Sequence, residues 1–366
     1  MKFFKRKNNI KKERDISELS IDEITYEICL EAIKSRPGDI IYVPTEYRTK
    51  ELCELAIELR PQNIEYVPLD IITKDMCLNA VSKAGYMIAH IPDFMIDRNV
   101  CLAAVKDNGI NLMYIHNQTE EICIEAVRQC AGALLYVKKQ TEQICVEALR
   151  NDGLVLQYVE NKTPDLCKIA IRSDVRALLF IEDQTTELCI LAINSDAEAI
   201  KYIRNQTEEL CIMAIEKRPE LLRYVINKTQ LICDIAVEIY PMALQFVPKK
   251  FQNINMCINA VKRTPSSLMF VKIQSKKVYK AAVAAEPYTI VHVPYNYREE
   301  LFNLMDISKD VVSIKYIHEC HRTDEMYRIV IESKVPIAMG YLNSDRLERV
   351  KEQMRLEQQE ENQNEQ

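Results

Sequence analysis

Tryptophan is absent from this chain, and glycine occurs only 6 times in 366 residues. So few glycines leave little material for loops that cradle phosphate. No apolar run reaches the roughly 18 residues that a membrane span needs. The opening MKFFKRKNNIKKER lacks the apolar core of a secretion signal. The expectation is therefore an intracellular chain, cytoplasmic first and nuclear second. A net charge of −6 is too small to place the chain in a strongly acidic or basic class. Nucleophile-elbow, phosphate-loop and kinase-type motifs are missing, so no catalytic residue, cofactor or small-molecule substrate is expected.

What the chain has is a repeated phrase. It reads Thr-x-Glu-Leu/Ile-Cys-x-x-Ala-Ile/Val, followed by Leu/Ile-x-Tyr/Phe-Val/Ile, and is clearest between residues 119 and 228. The anchors are Cys29, Cys53, Cys77, Cys101, Cys123, Cys145, Cys167, Cys189, Cys211, Cys233 and Cys257, with Tyr279 in the twelfth slot. The steps are 24, 24, 24, then six of 22, then 24 and 22. Periods of this size signal stacked repeats and not a closed globule. Alanine always stands three residues after the anchor, as in Ala126, Ala148, Ala170 and Ala192. Apolar residues at −1, 0, +3 and +4 form one face of an α-helix.

Four residues before each anchor is a capping residue, usually threonine, as in Thr119 and Thr141, with Asp97, Asn253 and Ser275 as variants. Acids such as Glu121 and Glu209 follow, where the helix dipole favours negative charge. Eight residues after the anchor the chain places Pro, Gly, or in three copies Ala131, Val175 or Ala197. Pro suits the first position of a second helix. An aromatic slot follows 13 residues after every anchor, with Tyr136, Tyr158, Phe180 and Tyr202 in the middle copies and His90 and His292 as exceptions. Each unit is thus two short helices, too short to be stable alone and dependent on their neighbours. Copies with Pro after the aromatic pair (Pro44, Pro68, Pro92, Pro248) have the longer step, which implies a longer loop there. Two weaker copies follow around residues 301–317 and 327–342.

The residue before each aromatic varies: Ile41, Glu65, Ala89, Met113, Leu135, Gln157, Leu179, Lys201, Arg223, Gln245, Met269 and Val291. Facing out, this row would make two apolar ends around a polar middle, and apolar patches often mark partner sites. Facing in, it is only core. The sequence leaves both open and favours core slightly.

Eleven of the 13 cysteines share one helix position. Stacked neighbours lie a helix layer apart, beyond the ~7 Å over which cysteine Cα atoms can be bridged. Zinc ligands must converge on one atom, and this ladder does not. The expectation is buried, reduced thiols acting as small hydrophobes, with no metal. His318, Cys320 and His321 form the one cluster resembling metal ligands, but a second pair at zinc spacing is missing, and a loop in a degenerate repeat is the favoured reading. His116 sits in an inter-repeat loop. The Asn-x-Thr matches at Asn117, Asn161, Asn205 and Asn227 coincide with helix caps, so glycosylation is not expected.

The ends differ from the repeats. Residues 1–19 carry Lys2, Lys5, Arg6, Lys7, Lys11, Lys12 and Arg14 and show no repeat register, so they read as a basic, disordered arm. Residues 343–366 read as a capping helix, with Leu347, Val350 and Met354 on one face, and a disordered tail EENQNEQ.

The copies TEEICIEAVRQCAGALLYVKKQ and TEQICVEALRNDGLVLQYVENK resemble a family of helical repeat proteins of unknown function, abundant in giant DNA viruses and found in bacteria. The resemblance covers about residues 20–295. It implies an α-helical repeat fold and a viral source, hence the host cytoplasm, and transfers no catalytic residues. The whole reading is an all-α, elongated α-solenoid of about fourteen two-helix repeats of 22–24 residues over residues 20–342. Its expected function is a non-enzymatic scaffold for a protein partner, because solenoids present long surfaces of variable positions. The alternative is association with nucleic acid through the basic arm, which would weaken steeply with salt.

Overall fold

The computed structural model describes residues 15–364, and every helix or turn of helix in it is α or 3-10, with no strand among the described residues. In the twelve regular copies the first helix is α-helical and ten residues long, from Tyr26–Ser35 through Glu120–Gln129 to Lys276–Ala285. The second is a six-residue 3-10 helix, from Pro37–Tyr42 through Ala131–Tyr136 to Pro287–His292. Two less regular copies follow. The thirteenth uses Tyr295–Arg298 running into Glu299–Leu304, then Val311–Tyr316. The fourteenth uses Asp324–Ser333 and Pro336–Met339. The fold is an all-α helical repeat with fourteen two-helix copies among the described residues.

The ends of the first helix follow from its sequence. The Ile122 N–H donates to the Thr119 hydroxyl at 3.4 Å, and the same bond recurs at Thr163, Thr207 and Thr229. Asp97 and Asn253 cap in the same manner, whereas Ser275 makes no side-chain cap bond. The helix stops because the residue seven after the anchor turns extended; Cys130 and Asp152, for example, have φ near −146° and −148°. Its N–H still reaches the repeat alanine, as from Cys130 to the Ala126 carbonyl at 2.9 Å.

Two compact units are present, one up to Leu191 and one from Ala192. In the first, the α-helices from Tyr26–Ser35 to Pro164–Ser173 pack each on the next, and the 3-10 helices from Pro37–Tyr42 to Val175–Phe180 do the same. In the second, Glu208–Lys217, Gln230–Ile239, Ile254–Arg263 and Lys276–Ala285 pack in succession. Every anchor and every repeat alanine from Ala56 onward is buried, and Ala32 in the first copy is half-buried. Alanine suits this place because its small side chain lets neighbouring short helices approach closely.

Glycine at the start of the second helix has a similar cause. A Cβ on Gly109 would lie 2.2 Å from the Ala126 carbonyl oxygen, and one on Gly153 would lie 2.3 Å from that of Ala170. The freed amides are capped by the following repeat: Gly109 N–H donates to Gln129 at 2.6 Å, and Gly153 N–H to Ser173 at 3.0 Å. Proline at the equivalent place has no N–H to satisfy.

Three boundaries differ from the sequence reading. Residues 15–19 belong to the fold and not to the arm: Ile16 is buried, Ile16–Glu18 is a 3-10 turn against Pro37–Tyr42, and Asp15 pairs with Arg36 at 2.6 Å. These residues form the second half of a repeat, which is why no Thr-x-Glu-x-Cys phrase marks them. The guanidinium of Arg36, with Ser17, holds the Asp15 carboxyl well below the usual carboxylate range. The final helix runs over Ser344–Asn364, further than its apolar face requires, so residues 360–364 are helical and not a disordered tail. Val350 is buried and Leu347 and Met354 are half-buried, and the helix packs on Asp324–Ser333. Finally, the residues added after Pro44, Pro92 and Pro248 form short 3-10 turns, Thr45–Tyr47, Asp93–Met95 and Lys249–Phe251, in place of a plain loop.

Candidate interaction surface

The second helix has three edges, because a 3-10 helix advances three residues per turn, about 120° each. In Ala131–Tyr136 the residues Ala131, Leu134 and Val137 point into the core. Ala133 is buried on the second edge, and Tyr136, three residues on, is half-buried. Leu135 stands on the third edge and is 55% exposed, while the adjacent Leu134 is 0% exposed.

This geometry corrects the orientation of the row before the aromatics. That row faces solvent: Ile41, Glu65, Ala89, Met113, Leu135, Gln157, Leu179, Arg223, Gln245 and Met269 are exposed, and Lys201 and Val291 are half-buried. The aromatic slot moves outward as well. Tyr42, Tyr66, Tyr114, His90 and His292 are exposed, and Tyr136, Tyr158, Phe180, Tyr202 and Tyr224 are half-buried. Of the twelve repeat anchors named from the middle copies, Cys123, Ala126, Cys145, Ala148, Cys167, Ala170, Cys189 and Ala192 are core, and the four aromatics form the rim of the surface.

In the first unit the 3-10 helices stack side by side, so the outward residues form a strip. Its apolar part combines Ile110, Met113 and Tyr114 with Leu135, Tyr136, Leu179 and Phe180, interrupted by Gln157. In the second unit the first two of the same positions are basic, Lys201 and Arg223, followed by Gln245, Met269 and Val291. Lys201 and Arg223 both lie against the Tyr224 ring, at 4.5 and 4.6 Å from its centroid. Lys201 is also held by Glu198, which in turn accepts from Arg218 at 2.6 Å.

A row of side chains that the sequence reading missed holds the strip in place. Five residues before the anchor, Gln118 donates to the carbonyls of Leu112 and Tyr136 at 3.3 and 2.9 Å and accepts from the Lys138 N–H at 2.9 Å. Gln206 and Gln252 make equivalent sets, and Gln140 makes the bonds to the following copy. Arg48 serves the same place with bonds to the carbonyls of Val43 and Tyr66 at 2.9 and 3.0 Å. Each such side chain ties the end of one second helix to the next. The signal was visible as recurrent Gln before the capping Thr, but only the fold shows its partners. The glutamines also accept weakly from the ladder thiols, as Gln118 does from Cys123 at 3.8 Å.

No disulfide joins the cysteines: the eleven ladder thiols are buried and free, Cys130 is half-buried and Cys320 exposed. Burial pushes the thiols of Cys53, Cys77, Cys123, Cys211, Cys233 and Cys257 up to about 11. They behave as packing groups and not as nucleophiles.

Several charged side chains on the first helices pair between repeats. Arg98 bonds Glu121 at 2.8 Å, Arg128 bonds Glu147 at 2.9 Å, and Lys168 bonds Glu187 at 2.9 Å. The Arg98–Glu121 pair lines an open groove of about 780 Å3 that also contains Asp97, Cys101, His116 and Glu120. Glu120 is engaged as well, accepting from the Thr141 hydroxyl at 2.6 Å. Among the described residues no group of three or more His, Cys, Asp and Glu side chains could hold a metal ion. His90 faces Glu65 at 3.3 Å, His292 lies edge-on to Tyr288, and His116 is exposed, its carbonyl accepting from Lys138. Asn117, Asn161, Asn205 and Asn227 are exposed in the loops before the caps. No helix among the described residues is long and apolar enough to cross a membrane.

The seven cations Lys2, Lys5, Arg6, Lys7, Lys11, Lys12 and Arg14 lie outside the described residues. The described body is not basic. Residues 15–191 carry 29 acidic and 17 basic side chains, and residues 192–364 carry 23 acidic and 24 basic, so the described body supplies no general attraction for phosphate.

One family model, described as a domain of unknown function (DUF4116), matches residues 73–118. That span holds two complete copies, from the cap Thr73 to Gln118 of the bridging row. No curated protein and no solved structure matches the chain.

Proposed function

We propose that this chain is a non-enzymatic scaffold that holds a protein partner on the second-helix strip of its first unit. The observation that carries the reading is the outward row of Met113, Leu135 and Leu179 beside the rims of Tyr114, Tyr136 and Phe180. Apolar residues kept in solvent at a fixed repeat position form a patch of the kind that partners cover. Tyrosine and phenylalanine at its rim bring large contact area at small cost in conformational entropy. Among the described residues the titratable groups are spread along the repeats and do not converge on one pocket, which supports binding over catalysis. The likeness to repeat proteins of giant DNA viruses and bacteria extends this proposal to a viral source, with the host cytoplasm as its compartment.

The test is co-purification from the native cell of full-length protein and a form lacking residues 1–14, each with and without nuclease. The truncation stops at residue 14 because Ile16 is core. A discrete protein partner that resists nuclease and stays with the truncated form supports the scaffold. Loss of all partners with nuclease, or with the arm, transfers the function to nucleic acid bound by residues 1–14.

A further inference from the structure

In the second unit, the edge where each loop leads into the next first helix is unlike the same edge of the earlier copies. Two residues before the anchor, copies five to nine carry Glu121, Gln143, Asp165, Glu187 and Glu209, whereas copies ten to twelve carry Leu231, Asn255 and Lys277. Three residues before it, copies ten to twelve carry Gln230, Ile254 and Lys276, so none of the three helices has an acid in its first turn. The loops add Lys228, Lys249, Lys250 and Lys272. Residues 239–285 hold eight basic side chains, all exposed, and no acidic one. Aliphatic side chains protrude among these lysines: Ile226 is 67% exposed, Leu231 51% and Ile254 44%. The place of Ile226 is taken by Lys138, Glu160, Glu182 and Arg204 in the four copies before it. Hydrogen bonds tie the three loops side by side. Gln230 donates to the Phe251 carbonyl at 3.0 Å, Gln252 to that of Phe270 at 3.0 Å, and Lys272 to that of Val247 at 2.7 Å. Acids at the margin are engaged: Glu208 accepts from the Thr229 hydroxyl, Asp234 from Gln230 at 3.1 Å, and Glu300 pairs with Lys276. Lys249, Lys250 and Lys277 make no ion pair among the described residues.

We propose that this loop edge of copies ten to twelve docks the protein on an anionic lipid bilayer. Ile226, Leu231 and Ile254 enter the boundary between headgroups and acyl chains, where aliphatic side chains leave water. The lysines around them meet lipid phosphates and carboxylates, drawn by the negative surface potential of the leaflet. The chemistry of the edge favours a bilayer over nucleic acid. The one arginine in residues 239–285, Arg263, is turned to the Glu238 carbonyl, so the available cations are lysines. The side chains that protrude are aliphatic, and the Phe251 ring is half-buried with Lys250 over it at 4.6 Å, so the loops offer no open aromatic platform for a base. This inference is independent of the strip on the first unit.

The full-length protein is floated with vesicles of phosphatidylcholine alone, and with vesicles of phosphatidylcholine and phosphatidylserine, over a range of salt. Binding should require phosphatidylserine and weaken as salt rises, because salt screens the surface potential. Lys249→Gln, Lys250→Gln and Lys277→Gln combined should lower the affinity about 100-fold. Ile226→Gln, Leu231→Gln and Ile254→Gln combined should lower it at least about tenfold at unchanged charge. All six positions are exposed, so neither variant should shift the melting temperature, and both keep residues 1–14. No binding by the unaltered protein, or equal binding to the two vesicles, would overturn the proposal. So would binding that either variant keeps in full. Retention by the lysine variant would place the contact on residues 1–14. Retention by the aliphatic variant, with a single-stranded oligonucleotide displacing the vesicles, would assign the edge to nucleic acid.

Discussion

Leu134 and Leu135 are neighbours in sequence and identical in chemistry, yet one is sealed in the core and the other stands in solvent. The same division runs through the repeats of the first unit. The inner rows, from Cys123 and Ala126 to Leu134 and Val137, hold copy to copy. The outer edge of the second helix contributes little to that packing and is free to vary, from Met113 to Leu135 to Gln157. A helix with three residues per turn separates the two roles cleanly, because adjacent positions never share an edge.

The comparison is sharpest in a pair of alanine substitutions. Leu134→Ala should cost about 2–5 kcal/mol, the range for truncating a fully buried leucine. Leu135→Ala should stay within about 0.5 kcal/mol, as for surface positions. Equilibrium urea unfolding of the two variants checks both, and similar losses would erase the distinction between the rows. Overfilling the inner row comes next. Ala170→Leu should cost roughly 1–3 kcal/mol, because the site has no room for the added methylenes. An unchanged melting temperature would show that the repeat alanine is not a close-contact position.

The bridging row sits between the two extremes. Gln118→Ala leaves the Tyr136 carbonyl and the Lys138 N–H without their partner, at a cost of about 1–2 kcal/mol. Gln118→Glu keeps the acceptor for Lys138 but loses the donor, so it should recover only part of the loss. A smaller effect is expected from pH. Burial raises the ladder thiols, to about 11 at Cys53 and Cys123, so the fold favours the neutral form. Their contribution is complete below the ordinary thiol value of about 8.5–9. It is lost as pH rises through about 11. Thermal melts between those limits should fall progressively, and replacing Cys123 by Ala should make the fall shallower.

Much of this architecture is legible in the sequence. The Thr cap, the −1, 0, +3, +4 stripe and the Pro or Gly eight residues on fix a ten-residue helix and a turn into a second element. The periodicity of that second element was harder to read. The segment AGALLY is compatible with either an α or a 3-10 pitch, and adjacent residues diverge by about 100° in the first and 120° in the second, so spacing alone does not say whether Leu134 or Leu135 faces out. That ambiguity is why the outward row read slightly as core and the aromatics as structural. The half-repeat at Ile16–Glu18 lacks the cysteine phrase, so nothing in the spacing separates it from the arm. The glutamine row depends on carbonyls a full repeat away, which spacing alone does not reveal.

The measurement that bears most directly on the division of roles is a binding comparison at matched stability. Met113→Glu, Leu135→Glu and Leu179→Glu are combined in the full-length chain, and its melting curve is set beside that of the unaltered protein. Both are then used to recover partners from nuclease-treated native-cell extract. The account predicts the same melting temperature, within a few degrees, and loss of the discrete protein partner. Retention of that partner by the folded triple variant would contradict the claim that the outward strip is the working surface of this protein.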